Sequence, residues 1–149
     1  MNMNNFGVLK GRLVADPVTF KNSDGSTKVK FSLACENNYK NKDGKREAQI
    51  IPVEAYVKSD YEKSPYARIG KGDKISAEIS LKQNNYTDKK TNEMVYSTVI
   101  FVESIQFEES VSVTAARHAA NAAQTTADAA QAAAPAAPAV APAPVPAQA

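Results

Sequence analysis

Tryptophan is absent, cysteine and histidine occur once each, and long apolar runs are missing from this 149-residue sequence. Each absence excludes something. The lone Cys35 rules out an internal disulfide and any Cys-x-x-Cys metal site. The single histidine, His118, falls in the C-terminal stretch, which leaves the rest without a histidine-based catalytic or zinc constellation. No metal and no cofactor are therefore expected. Without a basic-then-apolar start or a run of about 20 apolar residues, neither a signal peptide nor a membrane span is expected. A reducing cytoplasm is the default setting.

A large excess of one charge is lacking too. Eighteen basic and sixteen acidic residues give +2, which alone says little about partners. All but Arg117 and Asp128 precede position 111, so the distribution within the front part matters more than the sum. Lys40, Lys42, Lys45 and Arg46 crowd one polar connector, and Lys82, Lys89 and Lys90 gather about another. Solvated hairpin tips would carry the same charges. What sets these connectors apart is an aromatic in each, Tyr39 and Tyr86. Bases stack on such a ring while neighbouring cations neutralise phosphates, the pairing that a single nucleic-acid strand needs.

What is present is, above all, one long hairpin over residues 27–57. In its first arm Val29, Phe31, Leu33 and Cys35 alternate with polar or small neighbours. Its second arm occupies 47–57, and the connector between them holds Asp43-Gly44, strong turn chemistry between two alternating runs. Residues 4–14 read as an earlier strand, with Phe6, Val8, Lys10, Arg12 and Val14 on one face and Gly7, Leu9, Gly11 and Leu13 on the other. Asp16-Pro17 ends it, because proline cannot extend a ladder and restrains the residue before it. Residues 21–25 form a turn. After the hairpin, 59–69 is the one candidate helix of the front part, interrupted or restarted by Pro65. Gly70-Lys71-Gly72-Asp73 is a turn, and 74–84 returns to strand with Ile75, Ala77, Ile79 and Leu81 inward. Residues 95–107 make the last strand. Its Val99-Ile100-Phe101-Val102 run is apolar on both faces and is expected to pack beyond its own sheet.

Five strands with a short helical segment between the third and fourth give the order of the OB-fold. That all-β, five-stranded Greek-key barrel binds oligonucleotides or oligosaccharides on a sheet face and hairpin loops. The barrel domain is expected over residues 1–110. Beyond it, 114–134 is alanine-rich and 135–149 repeats Ala, Pro and Val. Alanine favours helix, so transient helix before Pro135 is expected. Without an amphipathic stripe it has little reason to dock. The whole of 111–149 is expected to be a disordered Ala/Pro-rich tail.

Several stretches fall in a familiar order: Gly11-Arg12-Leu13, Asp16-Pro17, Phe31-Ser32-Leu33-Ala34, Ala55-Tyr56, Lys71-Gly72-Asp73-Lys74-Ile75 and Tyr96-Ser97-Thr98. None is specific alone. In this order and spacing, up to position 107, they resemble the bacterial and phage single-stranded DNA-binding protein family. The resemblance implies a non-enzymatic sheath that protects single-stranded DNA with little sequence preference during replication, recombination and repair. It also implies a homo-oligomer, usually a homotetramer, on the nucleoid in the cytoplasm.

The family stacks bases on aromatics at four main positions. Three fall on Tyr39, Tyr56 and Tyr86, and the fourth falls on Ile50, which cannot stack a base. Two of the three carry tryptophan in the usual pattern, so weaker or more charge-dependent binding is implied. Phosphate contacts are assigned to Lys40, Lys42, Lys45, Arg46, Lys82, Lys89 and Lys90, with Arg12 able to line the groove. The tail departs from the pattern. Relatives that recruit repair proteins end in an acidic cluster, a proline and a terminal phenylalanine; here no acid follows Asp128 and no aromatic follows Phe107. A linker without the recruiting tip is expected, as in a phage or mobile-element version.

Other readings stay open at this level. Tyr39 and Tyr86 could cover barrel edges, Tyr56 could be core, and Arg12 could be an edge-strand charge. A single-stranded RNA-binding or primosome accessory OB module would use the same residues. A structural adaptor with the tail as spacer would show no salt-sensitive affinity for nucleic acid. An enzyme would need Cys35 as nucleophile or a carboxylate pair as acid and base. Cys35 lies on an apolar strand face with no histidine in the domain to activate it, which favours packing.

Overall fold

Alternation in the long hairpin sets the frame. In the computed structural model, which describes residues 3–132, β3 (Thr27–Glu36) and β4 (Ala48–Val57) pair antiparallel from Thr27↔Val57 to Glu36↔Ala48. Their inward positions, Val29, Phe31, Leu33, Val53 and Ala55, are buried and supply much of the core. β1 (Gly7–Leu13) runs antiparallel to β5 (Lys74–Thr87) and also touches β3 through Arg12↔Ala34 and Leu13↔Leu33. β6 (Met94–Phe107) pairs antiparallel with β5 and, briefly, parallel with β4 at Glu54↔Phe101 and Ala55↔Val102. The order β1-β5-β6-β4-β3 therefore returns to β1. Five strands close a small barrel, the expected OB-fold. Gly11 makes the closure possible, because a Cβ there would stand 2.5 Å from the Ala34 carbonyl oxygen.

A sixth strand joins the five expected ones. β2 (Val18–Lys21) pairs with the outer edge of β3, from Val18↔Lys30 to Lys21↔Thr27. Four residues beside Pro17, all exposed, carry too short an alternation to announce a strand. The 59–69 segment forms two 3₁₀ turns, Tyr61–Lys63 and Pro65–Ala67, the second opened by Pro65. It seats Tyr66 and Ile69 in the core, and burial, with Glu103 nearby, pushes the Tyr66 hydroxyl up to about 12.

Leu81 corrects one expectation. Ile75 and Ala77 are fully buried as expected, but Leu81 is 53 % exposed. β1 pairing ends at Gly7↔Ile79, and the register with β6 steps from Glu78↔Ser104 to Ile79↔Val102, leaving Glu103 as a bulge. Past that point β5 has β6 as its only strand partner among the described residues, so the two form an arm reaching Thr87↔Met94 that stands clear of the core.

The alanine-rich stretch corrects another. Residues expected to form transient helix at most, and not to dock, form α1 (Val111–Ala132), whose first turns attach to the Gly70–Asp73 turn. Arg117 Nη1 lies 3.0 Å from Asp73 Oδ1, His118 Nε2 lies 2.8 Å from Asp73 Oδ2, and Asn121 Nδ2 donates to the Lys71 carbonyl at 2.9 Å. Asp73 is wholly buried and also accepts the Gly70 N–H. The turn is shaped for this contact: a Cβ on Gly70 would stand 2.8 Å from His118 Nε2, and one on Gly72 2.9 Å from Arg117 Cδ. The attachment is polar, so no apolar stripe along the helix announces it. The proline-rich segment from 135 lies outside the described residues. Among those described, no helix is long and apolar enough to cross a membrane.

Candidate nucleic-acid interface

With Val53 and Ala55 inward, alternation turns Ile50, Pro52, Glu54 and Tyr56 of β4 outward. Register sets Ala34, Ser32, Lys30 and Lys28 of β3 beside them, and Phe101 of β6 beside Glu54 on the other flank. β2 extends the same face with Val18 opposite Lys30 and Phe20 opposite Lys28. Two concavities cross it. One of about 520 Å³ lies between Val14–Val18, the Ile50 end of β4 and Thr98–Ile100. Another of about 400 Å³ is walled by Lys28, Tyr56, Lys82 and Phe101. Glu54 borders both.

Electrostatics on this face centre on that carboxylate. Lys28 Nζ lies 2.6 Å from Glu54 Oε2 and Lys30 Nζ 3.1 Å from Oε1. Burial pushes the Glu54 carboxyl up, but the two lysines outweigh it and hold it below the usual carboxylate range. Tyr56 is exposed rather than core, and its hydroxyl lies 2.6 Å from Ser26 Oγ and 3.2 Å from Asp24 Oδ2. Hydrogen bonds from Ser26, and then Tyr56, hold the Asp24 carboxyl below its ordinary value. Lys82 Nζ sits 3.2 Å from the Phe101 ring centroid and 3.8 Å from Glu103. Lys30 lies 5.8 Å from the Phe20 ring, within cation–π reach.

The two connectors flank this face. The first returns to β4 two residues before Ile50. Asn41 organises it: its Oδ1 accepts the Asp43 and Lys45 N–H groups, its amide donates to Glu47, and Gly44 takes φ +74° at the turn. Tyr39 is 68 % exposed there. At the far end of the β5–β6 arm, Lys82, Asn84 and Tyr86 alternate onto one side, and Tyr86 is 52 % exposed. Asp88 closes that tip by accepting the Lys90 and Asn92 N–H groups. Lys40, Lys42, Lys45, Arg46, Lys89 and Lys90 are exposed, and among the described residues none forms an ion pair.

Tyr56 and Lys82 thus share one concavity, Tyr39 stands on the first connector, and Tyr86 lies in β5 near the tip of the arm rather than on the connector beyond it. Ile50, 64 % exposed, occupies the same outward row as Tyr56. Arg12 lies apart. Its guanidinium donates to the Gly72 carbonyl and to Glu109, both at 2.9 Å, and Glu109 is shared with Arg117 at 2.6 Å. Arg12, then Arg117, hold the Glu109 carboxyl below its ordinary range against burial. Phe20, Phe101, Lys28 and Lys30 also line the face, and the sequence pattern alone did not single them out. The four residues around Phe20 are too few to show a period, and the doubly apolar run was the available signal for Phe101. Burial pushes the Cys35 thiol up, away from the thiolate a nucleophile requires.

Comparison with known proteins fits this geometry. The model of the Single-strand binding protein family matches residues 3–108. Single-stranded DNA-binding protein 1 of Staphylococcus aureus strain Mu50 is 32 % identical over 107 residues, 72 % of this chain and 67 % of its own. The single-stranded DNA-binding protein of Enterococcus faecalis is 33 % identical over 110 residues, 74 % of this chain and 57 % of its own. Single-stranded DNA-binding protein 3 of Clostridium acetobutylicum is 34 % identical over 103 residues, 68 % of this chain and 69 % of its own. The chain belongs to the single-strand binding protein family, a family of binding proteins and not of enzymes.

Proposed function

We propose that this chain binds and protects single-stranded DNA, with affinity drawn from base stacking and phosphate neutralisation rather than from reading sequence. The observation that carries this is the outward row of β4, where exposed Ile50 lines one concavity and exposed Tyr56 the other, with basic, aromatic segments at either side. Stacking on Tyr39, Tyr56 and Tyr86 serves every base, because every base has a π-face. Lys40, Lys42, Lys45, Arg46, Lys82, Lys89 and Lys90 meet the backbone charge. Arg12 joins them only if its Glu109 and Gly72 contacts are exchanged for phosphate. Ile50 supplies apolar contact without a platform, so binding leans on charge more than in a relative with four aromatics. The role extends to replication, recombination and repair, on the nucleoid in the cytoplasm, as a homo-oligomer of four by family resemblance.

Side-by-side titration of single-stranded DNA, duplex DNA and RNA of equal length tests the reading. Single-stranded DNA is expected to bind best, and duplex DNA least. Tighter binding of RNA would favour an RNA-binding module on the same fold. No binding of any strand at low salt would refute the proposal. Sedimentation of the full chain tests the oligomer.

A further inference from the structure

We propose that Glu54 makes one step of this track selective for guanine. The inference rests on the reading that the face takes single-stranded DNA, and adds a base preference at one position of an otherwise tolerant path.

A carboxylate accepts hydrogen bonds and cannot donate them. Glu54 borders both concavities and, with Lys28 and Lys30 beside it, presents acceptors and cations together to whatever base edge enters either one. Tyr56 stands two residues along the same strand face, about 7 Å away. Its ring walls the concavity of about 400 Å³, so a base stacked on it directs an edge toward Glu54. Lys82 already covers the Phe101 ring on the opposite wall, which leaves Tyr56 as the open platform. Lys28 and Lys30 engage one carboxylate oxygen each and fix the group between them. Each oxygen keeps a further acceptor site.

Among the bases, only guanine presents two adjacent N–H donors, N1–H and N2–H, on the edge that meets a carboxylate side-on. Its O6, next to them, accepts from a lysine ammonium. Thymine offers one N–H between two carbonyl oxygens, which a carboxylate repels. Cytosine and adenine offer a single amino group. An acceptor beside two cations is thus complementary to guanine and least suited to thymine.

The test measures affinity of the full chain for oligo-dT and for an equal-length oligo-dT carrying isolated dG residues, spaced to prevent guanine stacking into quadruplexes. The wild type is expected to favour the dG-bearing strand by about fivefold or more, the lower range of discrimination by a bidentate contact. Replacing dG by deoxyinosine, which lacks the 2-amino group, is expected to lower that ratio. Glu54→Ala is expected to abolish it, and an unchanged circular-dichroism spectrum reports that the variant folds. Equal wild-type affinity for both strands, or a preference that survives in Glu54→Ala, would overturn the inference and leave the DNA-binding reading intact. Failure of the wild type to bind either strand at low salt would overturn both.

Discussion

The Tyr56 hydroxyl lies 2.6 Å from Ser26 Oγ, thirty positions earlier in the chain. Ser26 is buried in the turn that leads into β3, and Asp24 in the same turn takes a second contact from the hydroxyl. The ring is therefore held at its far edge while one side stays exposed. A platform fixed before a ligand arrives loses less conformational entropy on binding.

Two substitutions separate ring from tether. Tyr56→Ala is expected to weaken single-stranded DNA binding by about 1–3 kcal/mol, the range for losing a stacking aromatic. Tyr56→Phe keeps the ring and is expected to retain most of the affinity. Filter-binding titration checks both, and equal losses would assign the effect to the tether.

Ile50 invites the reverse experiment. It is exposed on the same row, so Ile50→Trp is expected to change stability by no more than about 0.5 kcal/mol. The added platform is expected to strengthen binding by roughly 1 kcal/mol or more. Unchanged affinity would place the strand elsewhere than along β4.

The first connector is expected to act through charge. Replacing Lys40, Lys42, Lys45 and Arg46 by alanine should flatten the dependence of log K on log salt by about 0.7 for each phosphate that is no longer neutralised. Titration across a salt series reads that slope directly. An unchanged slope would make these residues a solvated tip.

The α1 attachment is expected to loosen in acid. Glu109 titrates below its ordinary value in the fold because Arg12 and Arg117 favour its charged form. Its contribution is therefore complete above the unfolded value of about 4.3 and lost as pH falls through the lower folded value. Hydrogen-exchange protection at the first turns of α1, relative to the unfolded rate at each pH, should fall as pH falls through that window, and Arg117→Ala should lower it at neutral pH. Protection that neither change alters would contradict the attachment.

How much of this was legible depends on the kind of signal. Alternation of Val29, Phe31 and Leu33 fixed the faces of β3, and Asp43-Gly44 located the connector, so Thr27↔Val57 pairing followed from local pattern. Leu81 misled because alternation predicts which side a residue takes, not where the neighbouring strand stops. β2 is too short to show a period. The α1 attachment depends on a buried Asp73 meeting Arg117 and His118 across 44 and 45 residues, a relationship no local window contains. Tyr39, Tyr56 and Tyr86 were visible as aromatics beside cations or at a strand end. Phe101 and the Lys28–Glu54–Lys30 group became visible only once register brought three strands together.

Tyrosine fluorescence during titration with a long oligo-dT at several salt concentrations tests the central claim most directly. No tryptophan masks the six tyrosines, and stacking is expected to quench them. The predicted result is quenching that saturates, with log K falling by about 0.7 per neutralised phosphate for each decade of salt. Saturable binding without quenching would contradict stacking on Tyr39, Tyr56 and Tyr86, and no binding at low salt would contradict single-stranded DNA binding altogether.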